Sequence, residues 1–101
     1  MTGVRPAAVA GLFYPAHARD LGETVRGLLA EAAAAGGGAA APVPKAIVAP
    51  HAGYVYSGAV AARAYARLAP LAGTVRRVVL IGPAHRVPVE GLCMPSVDSF
   101  E

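Results

Sequence analysis

The sequence predicts an α/β fold: one βαβ unit of an open, mainly parallel or mixed sheet flanked by helices, and truncated. Three observations predict it. Val75–Ile81 is rich in β-branched residues, carries the apolar run Val78-Val79-Leu80-Ile81 and is stopped by Gly82-Pro83, which marks it as the clearest strand candidate in the chain. Lys45–Ala49 is a second short apolar run, ended by Pro50. Between them, Gly58–Leu68 spaces its alanines, Val60, Tyr65 and Leu68 as a small-residue helix does. Strand, helix and strand of these lengths close right-handed and keep their strands parallel.

The elements follow in order. Residues 1–16 form an irregular entry, because Pro6, Gly11 and Pro15 interrupt any long regular element. Asp20 offers an N-cap with Glu23 three positions on, a capping-box-like start. Leu21, Val25, Leu28 and Leu29 then recur at helical spacing and predict a helix over about 20–35, weakened by Gly22 and Gly27. Gly36-Gly37-Gly38 stops it, and the stretch through Pro44 reads as a flexible connection. After the strand at 45–49, residues 50–57 form a loop in which Ser57 can cap the next helix. Pro70 and Gly73 close that helix, with Arg63 and Arg67 one turn apart on one face. Residues 89–101 can supply one more strand. So few strands make a poor open sheet, so the 101 residues read as the amino-terminal portion of a single larger α/β domain.

Composition narrows the function. At 55% hydrophobic and 15% charged the chain has apolar material to bury and is not a disordered polypeptide. Much of that material is alanine, with 6% aromatic and no tryptophan, so the core it can build is thin. The +3 net charge comes from scattered arginines rather than a basic stripe interleaved with aromatics, so no nucleic-acid partner is expected. No run is long enough to span a bilayer, so no membrane partner is expected either. Cys93 is the single cysteine, which excludes an internal disulfide. With no signal-peptide pattern at the start, a cytoplasmic location is the expectation.

The chemistry is carried by two histidines. His51 stands in Ala49-Pro50-His51-Ala52-Gly53-Tyr54-Val55-Tyr56-Ser57-Gly58, and His85 in Ile81-Gly82-Pro83-Ala84-His85. Each follows an apolar run, and their spacing of 34 residues is one βαβ repeat. If both runs are adjacent parallel strands, about 4.8 Å apart, both imidazoles emerge at the carboxyl edge, where open α/β sheets hold ligands. Two neutral imidazoles converging on one crevice are two-thirds of a divalent metal site, for iron, copper or zinc. Tyr54 and Tyr56 are the candidate walls of an adjoining substrate pocket. The plainer alternative is a strand-to-helix turn with a hydrogen-bonded histidine and, at 85, a surface histidine. Cys93 reads better as a buried structural thiol than as a third ligand, Asp98 has equally little support, and His17 reads as a solvated loop residue.

Three segments together resemble the Memo family, also known as AmmeMemoRadiSam system protein B. They are Arg5-Pro6-Ala7-Ala8-Val9-Ala10-Gly11-Leu12-Phe13-Tyr14-Pro15, the His51 segment through Gly58, and Ile81 through His85. The resemblance spans essentially the whole chain and about the first third of a full-length member. It implies an α/β domain similar to class III extradiol dioxygenases, with His51 and His85 on the family's two amino-terminal metal-ligand positions. It also implies iron or copper binding, redox activity and, in animals, peptide recognition in motility signalling. The third ligand, a cysteine late in animal members, would lie beyond Glu101 and is not matched by Cys93. Two expectations follow. One is a metal-dependent oxidoreductase of dioxygenase type, with a small-molecule substrate and no residue yet assigned a catalytic role. The other is a non-catalytic metal- or peptide-binding interaction module.

Overall fold

The computed structural model describes residues 3–36 and 42–101. Its elements in order are strand β1 (Val4–Arg5), helix α1 (Ala18–Gly36), helix α2 (Tyr54–Ala66), a short 3-10 turn (Ala69–Leu71) and strand β2 (Ser99–Phe100). The architecture is α/β, with a parallel sheet and two helices. The chain divides into two compact units, Val9–Val75 and a second made of Met1–Ala8 with Arg76–Glu101.

The helical unit is built on the packing of α1 against α2. Helix α1 begins at Ala18, two residues before the start expected at about residue 20. Leu21 N–H donates to the His17 carbonyl at 2.9 Å, so Asp20 sits inside the first turn rather than at the cap. It still favours the helix there, because a carboxylate near the N-terminus complements the dipole. Leu21, Val25, Leu28 and Leu29 are half-buried and Ala32 is buried, so the apolar stripe read from the sequence is the packed face. The helix ends at Gly36, and the rest of the glycine-rich connection, residues 37–41, lies outside the described residues.

Helix α2 also starts earlier, at Tyr54 rather than Gly58. Its N-cap is Gly53, not Ser57. No side-chain cap is needed, because the Phe13 carbonyl accepts from Tyr54 N–H at 2.8 Å and the Gly53 carbonyl accepts from Ser57 N–H at 3.0 Å. The Phe13 carbonyl is presented by a tight turn over residues 9–14. There Gly11 adopts a φ of +80°, a conformation side chains resist, and its N–H donates to the Tyr14 carbonyl at 2.7 Å. At the other end of α2, the Arg67 guanidinium donates to the Pro42 carbonyl at 2.8 Å.

Small residues set the approach of the two helices. A Cβ added at the buried Gly58 would sit 3.1 Å from Leu28 Cδ1 and 3.4 Å from Tyr54 Cβ. Gly58→Val therefore forces the helices apart. Overpacking of this kind costs about 1–3 kcal/mol, to be read as lower helical ellipticity and faster amide exchange along both helices. Gly58→Ala should change little, since its single methyl meets the movable end of a leucine and gains helix propensity.

In the strand-bearing unit, β1 and β2 pair in parallel, with Val4 opposite Ser99 and Arg5 opposite Phe100. Asp98 N–H donates to the Gly3 carbonyl at 3.0 Å and Glu101 N–H to the Arg5 carbonyl at 2.9 Å, extending the ladder at both ends. The Arg5 guanidinium lies 5.9 Å from the Phe100 ring centroid, a cation–π distance. The strand proposed within residues 89–101 thus exists, and its partner comes from the entry segment read as irregular.

The strands expected at Lys45–Ala49 and Val75–Ile81 are a correction: neither run is in a sheet. Val78, Val79, Leu80 and Ile81 are instead exposed. Apolar, β-branched composition gives a run the capacity to be a strand, but a ladder needs a partner and a buried parallel strand needs cover on both faces. The described residues provide neither at that place.

Candidate functional site

The loop that carries His51 is held by the residues that follow it. Beyond it, Ser57 Oγ donates to the Ala52 carbonyl at 3.0 Å, tying the histidine-bearing loop to the first turn of α2. Tyr54 N–H, bonded to Phe13, ties the same loop to the 9–14 turn. Gly53 lies close to that turn, its absent Cβ 3.6 Å from Phe13 Cα. Because Ser57 is buried, Ser57→Ala removes a protected hydrogen bond. The expected cost is about 1 kcal/mol, with faster amide exchange at residues 51–54 as the measurement.

This anchoring sets His51 on a groove of about 530 Å³ that lies wholly within the helical unit. Phe13, Tyr14, Tyr54 and Tyr65 supply its aromatic lining, and Leu28 and Leu29 of α1 its aliphatic one. Tyr14 and Tyr54 stack at a tilt, with ring centroids 5.8 Å apart and planes at 42°. A mostly apolar concavity of this size with a few polar groups has the character of a small-molecule or peptide side-chain site.

The candidate residues divide as follows. His51 and Tyr54 meet on the groove. Tyr56 is 85% exposed and does not line it. His85 is exposed and belongs to the strand-bearing unit, in a bend over residues 85–87. His17 is exposed and contributes its carbonyl to the start of α1. Cys93, expected as a buried thiol, is exposed, because the segment around it contains no helix or strand that would cover it. Among the described residues no three histidine, cysteine or acidic side chains cluster as a metal-binding set. The two imidazoles fit a divalent metal in donor type, and their number leaves coordination to be completed.

Reading the sequence alone missed Phe13, Tyr14 and Tyr65 as groove residues. The signal for Tyr65 was there: Tyr54, Gly58, Ala61 and Tyr65 follow one helical face, but only once the helix starts at Tyr54.

Fold and site together define an α/β chain that carries its two candidate ligands in glycine- and proline-punctuated loops, one beside an aromatic groove. A family profile described as Memo-like protein matches residues 5–101, and the chain belongs to this family. It is 42% identical over 96 residues to protein MEMO1 of Danio rerio, covering 95% of this chain and 30% of that protein. The MEMO1 of Homo sapiens is 36% identical over the same length and shares. A MEMO1 family protein of Thermotoga neapolitana is 40% identical over 88 residues, 81% of this chain and 31% of the relative. The chain therefore spans about 30% of the length of these relatives, at their amino-terminal end. No solved structure matches it. Among the described residues no helix is long and apolar enough to cross a membrane.

Proposed function

We propose that His51 and His85 are two ligands of one divalent metal centre, iron or copper with zinc as the alternative. The third ligand would come from polypeptide outside these residues. The observation that carries the reading is the placement of His51 on the rim of an aromatic groove. A metal-ligand position there would adjoin space for an organic ligand. Membership of the Memo-like family supports the choice of His85 as its companion, since both histidines stand in segments that resemble the family's.

When bound, iron or copper supplies redox and Lewis-acid chemistry of the kind dioxygenase-type oxidoreductases use. The chain's own contribution is positional. Ser57, through the Ala52 carbonyl, fixes the loop that presents His51. Tyr54, half-buried against Tyr14, offers a phenol that can orient a substrate or donate a proton beside it. The apolar lining of the groove also favours a second reading, in which the same crevice grips a peptide side chain without turnover.

The test compares two polypeptides by calorimetric titration with Fe(II), Cu(II) and Zn(II). One is the 101-residue chain. The other, the extended chain, is the same residues fused to the polypeptide that follows the matched stretch in the Thermotoga neapolitana relative. With two imidazoles the short chain should bind weakly, because catalytic sites normally use three protein ligands. The extended chain should bind one metal tightly. Equal, weak binding by both would refute the shared centre.

A further inference from the structure

We propose that the turn over residues 9–14 is a positioning device for His51, with Gly11 as the positioning residue that sets it. The inference rests on the reading of His51 as a site residue, and its test binds no metal, so the two can fail separately. Leu12 N–H donates to the Val9 carbonyl at 3.0 Å, which makes Gly11 the third of four turn residues. Its φ of +80° is the value that a type II turn requires there, and glycine or asparagine supplies it. The closing bonds are between backbone groups. Phe13 N–H joins Leu12 on the Val9 carbonyl at 2.9 Å, and Gly11 N–H donates to the Tyr14 carbonyl at 2.7 Å. Leu12 is 81% exposed, so its burial does not impose the shape. A Cβ added at Gly11 would lie 3.5 Å from Ala16 Cβ, an ordinary contact. The demand at position 11 is therefore for a backbone conformation, not for space.

The turn presents its groups to the loop of His51. The Phe13 carbonyl accepts from Tyr54 N–H at 2.8 Å, three residues beyond the histidine. Gly53 rests on the same backbone, since a Cβ there would lie 3.6 Å from both Phe13 Cα and the Phe13 carbonyl oxygen. Tyr14, the last residue of the turn, stacks on Tyr54 with ring centroids 5.8 Å apart. One conformation at Gly11 thus places a carbonyl and a ring that hold the loop, in addition to the bond from Ser57 to Ala52. A residue that resists positive φ turns the Phe13 carbonyl away from Tyr54 N–H and loosens His51.

The test uses the 101-residue chain, free of metal, followed by NMR. Its observables are Tyr54 amide exchange and the imidazole signals of His51, with those of His85 in the other unit as the reference. Gly11→Val and Gly11→Asn add a Cβ at the same place, but valine resists positive φ and asparagine adopts it. In Gly11→Val the Tyr54 amide should exchange about tenfold faster, as a strained turn opens locally. The His51 ring signals should move toward random-coil values while those of His85 stay. Gly11→Asn should keep Tyr54 exchange within about twofold of the parent and retain the His51 signals, because asparagine suits the third position of a type II turn. Gly27→Ala, in α1 where an added Cβ has open space, should change neither observable. The proposal is overturned by a Tyr54 amide unprotected in the parent or by asparagine and valine acting alike. It is equally overturned by unmoved His51 signals in Gly11→Val, or by His51 and His85 moving together, which marks general loosening.

Discussion

His51→Ala in the extended chain is expected to lower its affinity for Fe(II), Cu(II) or Zn(II) by on the order of 100-fold or more, and His85→Ala to do the same. Loss of a mere supporting contact around a metal typically costs 10–100-fold, so loss of one of three ligands should reach the top of that range or exceed it. The effect is expected to be specific. His17→Ala removes an exposed imidazole whose residue serves α1 through its carbonyl, so metal affinity should not change. Ser57→Ala should lie between these limits, because it loosens the loop bearing His51 without removing a donor. Equal losses at positions 17 and 51, in parallel titrations, would remove the assignment.

The 101-residue chain by itself is expected to lack a sharp thermal transition and to bind the apolar dye ANS strongly. The reason is burial. Among the described residues the buried apolar side chains are Ala32 and Ala62, and no large side chain is fully buried. Alanine contributes little transfer free energy, while every ordered residue costs about 1–2 kcal/mol of backbone entropy. The helices should persist, since α1 and α2 retain an amphipathic contact, but tertiary order should be loose. Far-ultraviolet ellipticity with a broad melt and high dye fluorescence is the expected pattern. A sharp, concentration-independent two-state transition would show that these contacts suffice.

What could be read from the sequence was what local periodicity encodes. Leu21, Val25, Leu28 and Leu29 announce the buried face of α1, and the helix appears within two residues of its expected start. The beginning of α2 was misread because Ser57 looks like a cap. In the fold, a carbonyl from distant Phe13 takes that role, and no nearest-neighbour rule can supply it. Pairing was the least legible feature. Residues 4–5 carry no strand signature, and their ladder with 99–100 is defined by register between segments far apart in sequence. Conversely, Val78–Ile81 has the strongest strand composition and no ladder, because composition states a capacity and only a partner realises it. Of the residues singled out by glycine and proline punctuation, His51 and Tyr54 line the groove and Tyr56 does not. Phe13, Tyr14 and Tyr65 reach the groove through tertiary packing and a corrected helix phase.

In the proposed centre, His51 and His85 bind one metal together. Electron paramagnetic resonance of the extended chain loaded with one equivalent of Cu(II) addresses it most directly, because nitrogen couplings count the imidazoles on the ion. Two imidazole nitrogens are expected in the parent and one in each of His51→Ala and His85→Ala, with His17→Ala identical to the parent. An unchanged nitrogen count in either the His51 or the His85 variant would contradict the shared centre.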